Sequence, residues 1–297
     1  LDLGGWLPYN LSRMWHVQLA LFFVASSFLA MGIFLAPMVA GREPRHQDKL
    51  ALVLFGALVF VVLGSLAGEA LSIKNYIGSD GPWFWIGSQG WEYLDLGRMW
   101  QILLVGGMVL WVVILIRGLW SRLRGEHPGN MPYLFLYSAL SIPLFYAVGL
   151  AIRKEENFAV MDFWRFWVVH LWVEDFLELF TTVMVAYVFV LLGVVRTSTA
   201  TRVIYLDVIL YSIGGVIGTM HHVYFNGAPA VHMALGAFFS AMEVIPLLLL
   251  TFEAWRFMRL GGQERGTVLG ASTAAFPHKW AVMFLIAVGF WNFLGAG

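Results

Sequence analysis

The sequence predicts an all-α fold, a polytopic transmembrane helix bundle of about eight spans, and three observations carry that prediction. Of its 297 residues, 60% are hydrophobic and only 12% are charged, about half the charged share of an ordinary soluble domain. Eight apolar runs are each long enough to cross about 30 Å of hydrocarbon: residues 11–40, 50–73, 99–119, 131–152, 162–195, 203–225, 230–258 and 274–297. Lys and Arg then divide unevenly between alternate loops. Loops one, three, five and seven hold eleven, Arg42, Arg45, Lys49, Arg117, Arg122, Arg124, Arg196, Arg202, Arg256, Arg259 and Arg265, against five in the others, Lys74, Arg98, Arg153, Lys154 and Arg165. Basic residues favour the cytoplasmic side, so Leu1 is expected outside the cytoplasm. Residues 1–297 read as a single transmembrane domain. The absence of an initial methionine and the apolar run at the end lead us to expect a piece of a longer polypeptide.

Composition also excludes several chemistries. With no cysteine, the chain has no disulfide, thiolate metal site, iron–sulfur cluster or CxxCH haem attachment of its own. A formal net charge of zero gives no nucleic-acid signature. No basic n-region or cleavage site precedes the first apolar run, so these residues show no signal peptide.

In chain order, the first span carries His16 in RMWHVQLA. A lone histidine in a span is more often a hydrogen-bonded core residue than a ligand, and as a haem axial ligand it needs a partner on another helix. His232, close to the interface, is a poor partner. In the second span, Glu69 in GSLAGEALSI sits among Gly64, Ser65, Ala67, Gly68 and Ala70, small residues that mark a close helix contact. The outer loop, KNYIGSDGPWFWIGSQGWEYLDLGR over residues 74–98, is rich in Gly and Trp. It suits an ordered aromatic surface at the membrane interface, with no periodicity that assigns a helix or strand.

The fifth span holds the stretch FWRFWVVHLWVEDFLE, which places His170, Glu174 and Glu178 at two successive i,i+4 steps. In an α-helix these side chains share one slowly drifting stripe. Ionisable groups at bilayer depth are costly unless they pair, bind metal or line a cavity. Taken alone, the stripe admits helix–helix hydrogen bonds or a proton wire, and also metal ligation by His170 and Glu174. The sixth span ends in MHHVYFNGAP. Its adjacent His221 and His222 point about 100° apart in an α-helix, so both reach one ion only where the helix frays or widens, and Asn226, Gly227 and Pro229 mark such an end. With HxxxE they make three imidazoles and a carboxylate, a set that suits iron better than copper.

In the seventh span, Glu243 lies in AFFSAMEVIP, where Pro246 loosens the helix ladder. It is readable as a structural carboxyl bonded to backbone or as a proton donor near a metal. Glu253, followed by Arg256 and Arg259, reads as interfacial. His46, His127 and His278 fall in or beside loops and read as solvated.

Together RMWHVQLA, HLWVE, MHHVYFNGAP and AFFSAMEVIP resemble the catalytic subunit of bacterial nitric oxide reductase, a member of the haem–copper oxidase superfamily. The resemblance covers the whole chain, and GWEYLDLGR and FWNFLGAG resemble most the quinol-dependent type. It implies reduction of two nitric oxide molecules to nitrous oxide and water in an inner (cytoplasmic) bacterial membrane, as part of denitrification. The implied cofactors are low-spin and high-spin haem b and non-haem iron. His170, Glu174, His221 and His222 match the ligands of the iron, Glu178 and Glu243 match carboxyls beside the binuclear centre, and His16 matches an axial ligand of low-spin haem b. Glu92 and Asp95 match a possible calcium site. Oxygen-reducing relatives carry a tyrosine four residues after the first metal histidine, where this chain has Glu174, which favours nitric oxide as substrate. Quinol and the lipid bilayer are the implied partners, with a homo-oligomer possible. The family's later histidine pair for the haems has no counterpart after His278, in keeping with the expected longer polypeptide. The alternatives are a cytochrome c-fed reductase subunit and, from another class, a non-catalytic metal or proton transporter.

Overall fold

A computed structural model describes residues 3–78, 81–126, 129–223, 227–268 and 278–296; the side chains of residues 3, 173–176, 216, 219, 220, 260–268 and 296 lie outside that description. His127, Asn226, the side chains of Glu174 and Arg265, and the start of the last predicted span therefore fall outside the described residues. All regular structure among the described residues is helical. The long helices are α1 (Tyr9–Ala40), α2 (Gln47–Ile73), α3 (Arg98–Leu123), α4 (Met131–Val148), α5 (Phe158–Val169), α6 (Glu178–Leu191), α7 (Thr197–Gly218), α8 (Ala230–Met242), α9 (Val244–Val268) and α10 (Lys279–Ala296). Among the described residues, five segments are long and apolar enough to cross a membrane: Tyr9–Ala40, Gln47–Ile73, Arg98–Leu123, Met131–Ala151 and Ala230–Arg259. The molecule is thus an all-helical, multi-pass membrane protein.

Helix ends follow local chemistry. Gly41 ends α1 in the left-handed region at φ 67°, a conformation glycine adopts without strain; its N–H donates to the Met38 carbonyl and the Arg42 N–H to that of Pro37. Asn157 caps α5 by accepting from the Ala159 N–H at 2.9 Å, which satisfies one of the donors a helix start leaves open.

The chain divides into two units, Leu1–Leu177 and Glu178–Gly297. In the first, α3 is the central helix: α1, α2 and α4 all pack on it. Indole and amide donors pin them there. The Trp111 Nε1–H donates to the Leu29 carbonyl at 2.9 Å, and the Gln47 amide donates to the Ile114 carbonyl at 2.9 Å. Trp15 ties α1 to α2 through the Leu66 carbonyl. The small-residue stripe of α2 is a close contact, as expected: a Cβ at Gly64 would fall within the Trp100 ring, and one at Gly68 would collide with the Ile86 carbonyl. The outer loop is ordered around that contact. It forms a short helix, Pro82–Ile86, and a β-bridge between Ser88 and Leu96, while Trp100 donates to the Ile86 carbonyl at 2.9 Å. The buried Arg98 guanidinium donates to the carbonyls of Gly149 and Ile152, which joins α3 to the end of α4.

In the second unit α7 is central, contacted by α6, α8 and α9, and α10 packs along α9. Glycines again set the closest approaches. A Cβ at Gly236 on α8 would lie 2.9 Å from the His221 backbone nitrogen, and one at Gly214 on α7 would lie 3.2 Å from Phe239.

Candidate metal centre and its carboxylate surround

The fifth predicted span is not one α-helix. After α5 the chain enters a π-helix, His170–Leu177, before α6 begins at Glu178. A π-helix closes its hydrogen bonds at i→i+5, so each turn holds more residues than the 3.6 of an α-helix. The sequence expectation of an α-helix at His170 and Glu174 is therefore replaced by π-helical backbone. In the first unit His170 is buried at 2% exposure between the fully buried Val168 and Leu171, and Trp172 packs on Tyr146 with ring centroids 4.8 Å apart. Such π segments inside α-helices occur frequently at functional sites.

The adjacent histidines of the second unit stand where α7 tightens into a 3₁₀ turn, Thr219–His222, rather than in the frayed or widened turn expected from the sequence. Their rings lie 4.0 Å apart between centroids, and both are half-buried. Two convergent imidazoles held by the close packing of Gly236 suit a first-row metal such as iron.

Pro246 breaks the seventh span as expected. With no N–H at Pro246 the Met242 carbonyl has no helical donor, and the helix is interrupted at Glu243 between α8 and α9. The Glu243 carboxylate thereby leans onto α7, with an oxygen 3.1 Å from the position a Cβ would take at Gly214. On α7 itself, Asp207 and Tyr211 occupy the same face one turn apart. Asp207 is 1% exposed, beside both Glu178 and Glu243, and the Tyr211 hydroxyl hydrogen-bonds the Glu178 carboxyl. Sequence reasoning missed Asp207, taking Glu69 and Glu253 as the remaining acids in spans. The available signal was a single aspartate in the apolar run VIYLDVILY. Glu253 pairs with Arg196 at 2.9 Å.

The other predicted residues separate. His16 is exposed on α1, and His232 is exposed on α8. Glu92 is ion-paired to Arg13 and, at 3.9 Å, approached by Arg165. Asp95 is instead buried and faces Gln18, with Glu69 close by. Burial pushes the Asp95 carboxyl up to about 6; the Glu92 charge adds to the rise, while Gln18, the Tyr93 backbone and Arg165 oppose it.

The chain is similar to known proteins. The chain is 26% identical over 295 residues to a nitric oxide reductase subunit from Stutzerimonas stutzeri, an alignment that covers 98% of this chain and 58% of that protein. The chain thus spans well under two thirds of the length of this curated relative. The family described as Cytochrome C and Quinol oxidase polypeptide I matches residues 3–297. Haem and metal cofactors are what that family implies, and the paired imidazoles of His221 and His222 are compatible with a metal. With its all-helical, multi-pass architecture and a match over nearly its whole length, the chain belongs to the cytochrome c and quinol oxidase polypeptide I family, the haem–copper oxidases.

Proposed function

We propose that this chain reduces nitric oxide, coupling two NO with two electrons and two protons to give N2O and water, with quinol as the electron donor. The observation that carries the reading is the convergent pair His221 and His222 at the 3₁₀ end of α7, read together with the carboxylate four residues after His170. The similarity to a nitric oxide reductase supports it. In this reading His170, His221, His222 and Glu174 hold non-haem iron, with Glu174 supplying the hard oxygen donor that iron accepts and copper disfavours. His16 holds low-spin haem b from α1, and Glu92 and Asp95 lie at a calcium position. When bound, the haem and iron supply electrons and two neighbouring positions for NO nitrogen.

The rest is work for the chain's own side chains. Glu178 and Glu243 hold and release the two protons that the oxygen leaving as water requires. The Tyr211 hydroxyl keeps Glu178 oriented. The apolar walls of α6 and α7 exclude bulk water, so protons travel only by such groups. The eight apolar runs act as eight spans of a single catalytic domain, set in an inner bacterial membrane with Leu1 outside and able to form a homo-oligomer. A second reading, in which electrons arrive from a cytochrome c on a partner chain, is favoured by the relative's designation as a subunit.

The test is Glu174→Ala, read by iron content and by NO consumption of the purified full-length protein. Loss of bound iron, or at least a hundredfold loss of turnover, is expected, about the size of effect seen for groups that handle charge or ligate metal in a site. Full iron with full turnover refutes the ligand set. Comparing quinol with reduced cytochrome c as donor decides between the two electron routes.

A further inference from the structure

One face of α7 carries an uninterrupted series of features. Asp207, Tyr211, Gly214 and Gly218 follow at steps of four, three and four, and His221 and His222 come next. Those steps keep the first four on one side of the helix. Glu243 leans on that face at Gly214, Glu178 reaches it at Tyr211, and α8 covers it at Gly218, whose carbonyl oxygen is 3.2 Å from a Cβ at Gly236. Asp207 lies at the opposite end of the series from the histidines, about 21 Å from His221 along the axis at 1.5 Å per residue. It is 1% exposed, and its Oδ2 has no hydrogen-bond partner among the described residues. The charged groups that bear on it are Glu178 from α6 and Glu243 from the α8–α9 break, and Tyr211, one turn further along α7, hydrogen-bonds Glu178. A buried carboxyl set beside two others in hydrocarbon is costly, and such groups in spans mark proton or ion routes.

We infer that Asp207 is a proton-relay residue, supplying Glu178 and Glu243 through Tyr211 from the end of α7 remote from the histidines; the inference rests on the proposed reduction of NO, which consumes protons. In each relay step the Tyr211 hydroxyl gives its proton to the Glu178 carboxylate and takes one from the Asp207 carboxyl. Asp207 is then reprotonated by water from the side of α7 that begins at Thr197. No electron moves in the step, and one proton enters for each one consumed. Asp207 acts through these neighbours as a positioning and proton-passing residue.

The experiment uses the full-length holoenzyme, fully reduced, mixed with NO in the presence of a pH-indicator dye. Asp207→Asn is expected to keep its haem and iron content and its rate of NO binding, while proton uptake slows at least tenfold, somewhat under the roughly hundredfold that a positioned proton donor contributes at its low end. The slowing grows as pH rises and free protons become scarce. Asp207→Glu restores uptake, and Tyr211→Phe slows it with iron retained. If Asp207→Asn takes up protons at the wild-type rate with full iron, the relay assignment is wrong while the NO-reducing function stands. If Asp207→Glu fails to restore uptake in a folded, iron-replete protein, Asp207 is a packing residue and the inference falls. A wild-type enzyme with haem and iron that consumes no NO overturns both readings.

Discussion

Asp95 offers a quantitative test of how the outer loop is built, because its environment opposes its charge. Its carboxyl ionises near 3.8 when solvent-exposed and near 6 in the folded chain. That difference of about 2.2 pH units corresponds to about 3 kcal/mol at 1.36 kcal/mol per unit. The sign follows from which state holds the proton. Below about pH 4 both states are protonated and Asp95 contributes nothing. Between about pH 4 and 6 the folded state keeps a proton that the unfolded state has lost, so stability falls as pH rises. Above about pH 6 the full penalty remains. Asp95→Asn keeps the shape and removes the charge, so it should stabilise the protein by up to about 3 kcal/mol at pH 7.5, with the gain shrinking progressively toward pH 4.5. For a chain of this size a change of that order moves Tm by on the order of 5 °C or more. The measurement is thermal unfolding in detergent followed by tryptophan fluorescence, with chelator present so that bound cation does not stabilise the wild type. A wild-type Tm for Asp95→Asn at pH 7.5, or a gain independent of pH, refutes the reasoning. Repeating the scan with added Ca2+ tests the calcium position: the ion should raise the Tm of the wild type and not that of Asp95→Asn.

Further outcomes follow from the same packing. Gly64→Leu drives a side chain into the Trp100 ring and breaks the indole bond to Ile86. Overpacking and the lost bond together cost about 2–4 kcal/mol, visible as a lowered Tm and faster proteolysis of the outer loop; a wild-type protection pattern contradicts the close contact. Glu92→Gln, by contrast, removes an ion pair whose partners are both partly solvent-exposed. It should change stability by less than about 1 kcal/mol, less still in high salt, and a larger loss in the same unfolding assay means Glu92 has a role beyond pairing with Arg13.

Much of the fold was legible because hydrocarbon allows few solutions. A backbone crossing it must satisfy its own hydrogen bonds, so an apolar run of about twenty residues reads as a helix. Pro246 predicted the loosened ladder at Glu243, and Asn226 to Pro229 predicted a helix end beside the histidine pair, since proline and glycine act on the backbone whatever surrounds them. The π-helix at His170–Leu177 was not legible. Its sequence, HLWVEDFL, has ordinary helix formers, and the contact of Trp172 with Tyr146 joins it to a helix that this stretch of sequence does not contain. Asp207 was overlooked for a related reason: one aspartate in an apolar run looks like a pairing residue until its neighbours are known.

By itself the sequence determined the all-helical membrane class, the candidate ligands His170, Glu174, His221 and His222, and the carboxyls Glu178 and Glu243, because cost in hydrocarbon and spacing along a helix are properties of the chain alone. Tertiary structure decided what faces what. It gave Glu92 to Arg13 and Asp95 to Gln18, laid Glu243 against Gly214, and brought Asp207 beside Glu178 and Glu243. Those pairings join residues far apart in sequence, and at Gly214 a missing Cβ lets Glu243 approach α7, a distance that no periodicity in a single stretch of sequence contains.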